Sequence, residues 1–96
     1  MEIWKGGLIM LYEDGYVFIT NNKSIQLTLV DTKILSLLLR NKGTVIKYEY
    51  ICKEIFNSKV DKYYLASIMS RICRLRKKLK EEINIETKYN IGYVIR

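Results

Sequence analysis

Arg71, Arg74, Arg76, Lys77, Lys78 and Lys80 put six cations into residues 71–80, and the positions between them are apolar at helical spacing. So much positive charge requires either open solvent or a polyanion opposite it. The chemistry on offer is binding, because guanidinium forks and ammonium groups suit phosphate oxygens and guanine edges. Other chemistries are poorly served. The chain has no His, which removes the usual general base and the Ser-His or Cys-His nucleophile pair. Cys52 and Cys73 form no Cys-x-x-Cys pair, so a metal site would have to be built from two thiolates and carboxylates and is not expected. Both are read as reduced, packed thiols. Gly6-Gly7 is too short for a phosphate-cradling loop and precedes a strand. No catalytic residue and no cofactor is expected, and the chain is not read as an enzyme.

The 96 residues suit one domain, and 49% apolar with 28% charged residues is the balance of an ordinary globule. The net charge of +7 is unevenly placed. Residues 1–46 carry five Lys/Arg against four Asp/Glu, and residues 47–96 twelve against six. The binding face therefore belongs to the C-terminal half, with nucleic acid the commonest partner for such a face and an anionic membrane surface the alternative. No apolar run approaches the roughly 20 residues that span a bilayer. Met1 to Lys5 lacks the basic and apolar regions of a secretory signal, so a cytoplasmic location is expected.

The elements that must position the cations follow from periodicity. Leu8 to Tyr12 and Tyr16 to Thr20 are rich in strand formers around Glu13-Asp14-Gly15, a hairpin signal; Asn21-Asn22-Lys23 is a second turn before a strand from Ser24 to Leu27. The period then becomes helical. Thr28 to Asp31 has capping-box form with Thr28 as N-cap, Val30, Ile34, Leu35, Leu37 and Leu38 supply the apolar face, and Gly43 sits where a left-handed residue is wanted after the helix. Thr44 to Ile46 is one short strand. Tyr48 to Phe56 is a second helix that buries Ile51, Cys52, Ile55 and Phe56, and Asp61 in the polar connector is a candidate N-cap for the next helix.

The third helix is read from Lys62 to Glu81. Leu65, Ile68, Ile72, Leu75 and Leu79 form its single apolar stripe. At about 100° per residue, Ser67, Arg71, Arg74 and Lys78 share a second stripe a quarter turn or more away, and Arg76 falls on the other flank beside Met69. Asn84 to Lys88 and Ile91 to Arg96 are strands around Tyr89-Asn90, with Asn90 able to adopt a positive φ.

Leu27-Thr28-x-x-Asp31-x-x-Ile34-Leu35, Asn41-x-Gly43-x-Val45, Ile51, Phe56, Ile72-x-Arg74-Leu75-Arg76-Lys77-Lys78-Leu79, Ile85-x-Thr87 and Gly92-Tyr93 together resemble the OmpR/PhoB-type DNA-binding domain of bacterial response regulators over residues 8–96. The fold this implies is α+β, a winged helix-turn-helix: an N-terminal antiparallel sheet (1–28), a helical core (29–81) and a C-terminal β-hairpin wing (84–96). The departures are Asp31 for a Glu, Lys47 for a helix-capping Ser, Phe56 for a Trp, Met69-Ser70-Arg71 for Asp-Val-His, and Lys88-Tyr89-Asn90 for Val-Arg-Gly. Met1 stands almost at the first strand with no receiver domain before it in this sequence, and a complete standalone product is the expectation over an excised piece.

The resemblance implies sequence-specific binding of double-stranded DNA by a transcriptional regulator, third helix in the major groove and wing on the backbone or minor groove. Arg71 and Arg74 are the candidates for base edges, with Ser67 and Ser70 secondary; each good bidentate contact discriminates by about 1–3 kcal/mol. Lys77 and Lys78 suit phosphates, as do Lys47 and Tyr48 at the start of the second helix, while Lys88, Tyr89 and Asn90 lie along the adjacent groove or backbone. Arg76 is read as structural, paired with an acidic residue such as Asp31. Tyr12, Tyr16, Tyr48, Tyr50 and Tyr93 are read as packing, and Tyr89 as the exposed aromatic. Homodimers or tandem binding on repeated sites, and RNA polymerase or other DNA-processing proteins, are the further partners. Two other readings stand beside this one. The first is an accessory factor marking a plasmid or mobile-element origin for replication, partition or conjugative transfer. The second is a basic protein-interaction or membrane-surface module built on the same helix.

Overall fold

The computed structural model describes residues 2–4, 7–12, 15–19, 24–79 and 83–96. Four strands, β1 (Glu2–Trp4), β2 (Gly7–Tyr12), β3 (Gly15–Ile19) and β4 (Ser24–Leu27), form an antiparallel meander in chain order. Strand β1 was not expected: three residues carry no readable alternation, and only pairing with β2 makes them a strand. The expected turns at Glu13-Asp14 and Asn21-Asn22-Lys23 lie outside the described residues, as does the expected helix end at Lys80-Glu81.

Helix α1 (Leu29–Arg40) starts where its cap dictates. Thr28 Oγ1 accepts from the Asp31 amide at 3.1 Å, and Thr32 Oγ1 donates to the Thr28 carbonyl at 2.9 Å. Beyond its end Gly43 takes φ +87° and donates its amide to the Ile95 carbonyl at 2.8 Å, tying the turn to the last strand. Strand β5 (Ile46–Lys47) runs directly into α2 (Tyr48–Phe56), the span the periodicity gives. Lys47 offers no side-chain cap; the Tyr48 amide is satisfied instead by the Ile91 carbonyl, 3.0 Å away. Asn57 ends α2 at φ +52°, a left-handed cap that sequence reading had merged into the connector. Asp61 caps α3 (Lys62–Leu79) through the Tyr63 amide at 2.7 Å.

Strands β6 (Ile85–Lys88) and β7 (Gly92–Ile95) form the final hairpin, and β7 lies between β5 and β6 in a three-stranded antiparallel sheet. A Cβ at Gly92 would sit 1.9 Å from the Ile46 carbonyl oxygen, so the approach of β5 to β7 requires glycine there. Asn90 at φ +60° supplies the positive φ of the turn that the Ile91 amide closes on the Lys88 carbonyl at 2.9 Å.

The core joins the three helices to both sheets. Ile34, Leu35 and Leu38 of α1, Ile51 and Cys52 of α2, Ile68, Ile72, Leu75 and Leu79 of α3, and Tyr93 and Ile95 of β7 belong to one buried cluster with Leu27. Each fully buried aliphatic side chain contributes about 1.5–3 kcal/mol. Ile55 and Phe56, expected inside, are half-buried at the rim, where Phe56 stacks on Tyr64 with centroids 4.5 Å apart.

Candidate nucleic-acid interface

Packing divides α3 into faces. Ile68, Ile72, Leu75 and Leu79 are buried, so the opposite face carries Ala66, Ser70, Cys73, Arg74 and Lys77, all exposed. Arg74 and Lys77 make no hydrogen bond or ion pair among the described residues. Two exposed cations with no partner among the described residues can accept an external anion without breaking an internal bond there.

The stripe of Ser67, Arg71, Arg74 and Lys78 does not stay together. Arg74 is exposed, whereas Ser67 and Arg71 are half-buried on the flank towards α1. The Arg71 Nη1 donates to Asp31 Oδ1 at 3.3 Å and to Thr28 Oγ1 at 3.4 Å, with the Arg71 side chain 25% exposed and that of Asp31 2%. Lys78 is exposed, and its Nζ donates to the Gln26 carbonyl at 3.3 Å. This flank is thus directed at the N-terminus of α1 and at β4.

The expected pairing of Arg76 with Asp31 is overturned. Arg71 holds Asp31, and Arg76, on the opposite flank, donates from Nε to the Ile85 carbonyl at 2.9 Å and from Nη2 to Thr87 Oγ1. Its structural assignment stands, with a different partner. Two of the departures from the family pattern, Asp31 and Arg71, therefore meet in one ion pair: a carboxylate one methylene shorter than Glu faces a side chain longer than His. The geometry is not ideal, since both bonds exceed 3.2 Å and the Arg71 Nε is buried without a partner.

Around α3, Lys47 is exposed at the start of α2, and Tyr48 is half-buried with its ring edge-on to Tyr93 at 5.7 Å. Burial holds the Tyr93 phenol above its ordinary value, with Tyr48 adding to the rise and Arg76 opposing it. In the wing, Glu86 accepts from the Arg96 Nε at 3.1 Å and pairs with the Lys88 Nζ at 3.5 Å; the Arg96 bond, ahead of the Lys88 charge, holds its carboxyl below the ordinary value. Tyr89 is 85% exposed, and Asn90 beside it is exposed too.

Two expectations of packing fail. Cys73 is exposed on the outer face of α3, while Cys52 is buried and its thiol is pushed up by desolvation. Tyr50 is largely exposed as well. Cys73, Ala66 and Met69, the last 60% exposed, are not among the residues that the sequence assigns to the binding surface. The signal was available: taking the direction opposite the apolar stripe, in place of the line through the most cations, selects Ala66, Ser70, Cys73 and Lys77.

Residues 22–95 match the family described as "Transcriptional regulatory protein, C terminal". The chain is 33% identical over 101 residues to the regulatory protein VanRc of Enterococcus gallinarum, covering 98% of this chain and 42% of that protein. It thus spans less than half the length of the curated relatives it matches. Among solved structures, it is similar to the C-terminal domain of the nisin resistance regulator NsrR, a lantibiotic response regulator, at 27% identity and a TM-score of 0.73, covering 99% of this chain and 96% of that one. The fold is shared with the Klebsiella pneumoniae RstA DNA-binding domain in complex with the RstA box, at 22% identity and a TM-score of 0.72, covering 95% and 93%. With the three helices, the wing and the matched residues in agreement, the chain belongs to the family of transcriptional-regulator C-terminal domains, the OmpR/PhoB-type winged-helix DNA-binding domains of response regulators.

Proposed function

We propose that the domain binds double-stranded DNA sequence-specifically as part of a transcriptional regulator, with the outer face of α3 in the major groove and the wing along the adjacent minor groove or backbone. The observation that carries this reading is the exposed pair Arg74 and Lys77, without a partner among the described residues, on a helix whose opposite face buries Ile68, Ile72, Leu75 and Leu79. A B-DNA major groove admits one helix, and an Arg reaching a guanine edge there can bond O6 and N7 together. Arg74 takes the base-reading role, with Ser70 beside it, and Lys77 takes a phosphate. Lys47 and Lys78 are further phosphate contacts; the Tyr48 amide is taken by the Ile91 carbonyl, so Tyr48 would reach a phosphate only through its hydroxyl. Lys88, Tyr89 and Asn90 follow the minor groove or sugar edge. Arg71, held by Asp31 and Thr28, acts by fixing α3 on α1, and Ser67 is on the same flank. Tandem or dimeric binding and contact with RNA polymerase are consistent with the same domain and rest on the family alone.

The RstA domain with its box supports the duplex reading by likeness of fold. The origin-marking alternative would use the same contacts, and no observation favours it. A membrane-surface helix would need its apolar stripe outside; here Ile68, Ile72, Leu75 and Leu79 are in the core. Selection of bound duplexes from a random pool, followed by footprinting of the winner, tests the proposal. A defined motif with guanine N7 protection is expected, and binding that is equal on all duplexes and lost uniformly with salt would overturn it.

A further inference from the structure

We propose that Arg76 is the positioning residue that sets the wing relative to α3, so that a cation within the basic run serves DNA binding without touching DNA. This rests on the reading that both α3 and the wing engage the duplex. One guanidinium reaches both strands of the hairpin: Nε bonds the Ile85 carbonyl of β6 at 2.9 Å, Nη2 bonds Thr87 Oγ1, and the group stands 6.0 Å from the centroid of the Tyr93 ring on β7. Thr87 and Tyr93 are cross-strand neighbours and Ile85 pairs with Ile95 two positions on, so the three contacts span two rungs on the same side of the hairpin.

Three features make this clamp directional. Strand β6 is at the sheet edge, and a carbonyl facing outward there has no strand to bond it; Arg76 supplies the donor. Ile72, Leu75 and Leu79 of α3 also share the buried apolar cluster with Ile85, Tyr93 and Ile95 of the wing, and apolar packing resists separation but fixes angle poorly. A planar fork bonding two acceptors while lying near an aromatic ring fixes both distance and orientation, which a Lys ammonium cannot do. The clamp sits two residues from Arg74 at one end and, through Thr87, two residues from Tyr89 at the other. The spacing between the α3 contact and the wing contact is therefore set by Arg76.

The test uses Arg76→Lys and Thr87→Val on the duplex recovered from the random pool, with dimethyl sulfate reporting guanine N7 and hydroxyl radical reporting minor-groove sugars. Arg76→Lys keeps the charge, so the salt dependence of binding should stay unchanged. Affinity should fall about tenfold, the size of one charge-assisted hydrogen bond. Sugar protection beside the wing should vanish while N7 protection under α3 persists. Thr87→Val should do the same to about threefold, and the double variant should add little to Arg76→Lys. Should Arg76→Lys lose its helical spectrum, Thr87→Val, an exposed β-branched exchange within a strand, carries the test alone. Wing protection unmoved by the variants, or N7 and sugar protection lost together in a folded variant, overturns the clamp. No wing protection in the unmodified protein overturns instead the reading beneath it, and the clamp's role with it.

Discussion

Arg71 and Arg74 are the same residue one turn apart on α3, and the fold gives them opposite surroundings. Arg71 is turned onto a carboxylate 2% exposed at the start of α1, whereas Arg74 faces outward with no bond among the described residues. The residues between them, Ile72 and Cys73, point into the core and out of it, so the division runs between adjacent positions. What this contrast teaches is that positive charge on a binding helix is not one quantity. A guanidinium held by a buried carboxylate contributes to the placing of the helix, and an exposed one without such a partner is available to a ligand.

The largest effect expected from this contrast is on stability. Arg71→Ala leaves the Asp31 carboxylate buried and unpaired, and unfolding in urea should register a loss of about 3 kcal/mol. Replacing both partners by apolar residues of similar size should recover most of that, and Arg74→Ala should stay within about 0.5 kcal/mol of the unmodified protein. Equal stability losses for the two Arg variants would erase the contrast.

Binding should rank them the other way. Arg74→Ala should cost about 2 kcal/mol on the selected duplex and far less on random duplexes, read by competition titration. Parallel losses on both would reduce Arg74 to a phosphate contact. Lys77→Ala should weaken all duplexes alike and lower the slope of log affinity against log salt by about one. An unchanged slope would remove Lys77 from the backbone contacts. The smallest effect concerns the wing: Tyr89→Arg should strengthen binding a few-fold where the minor groove is narrow, and no change on A-tract duplexes would make the wing tip idle there.

Much of the architecture was legible because its causes are local. Thr28 and Asp61 cap the helices they were read to cap, and α2 begins and ends where its apolar spacing does. Gly43, which lacks a Cβ, and Asn90, whose short amide tolerates the left-handed region, occupy positive φ. The misses share a cause as well. Strand β1 exists only by pairing, and the left-handed Asn57 is one polar residue among several in a connector. The exchange of Arg76 for Arg71 as the partner of Asp31 joins residues 40 positions apart, which no helical spacing can rank.

By itself, then, the sequence determined the order of the elements, the apolar stripe of α3 and the concentration of charge beside it, because capping, periodicity and composition are properties of neighbouring residues. Which cations face outward and which are held was decided only when α3 was laid against α1 on one side and the wing on the other. A helical wheel gives the direction of a side chain, but the acceptor waiting in that direction belongs to another segment of the chain, and packing alone brings it there.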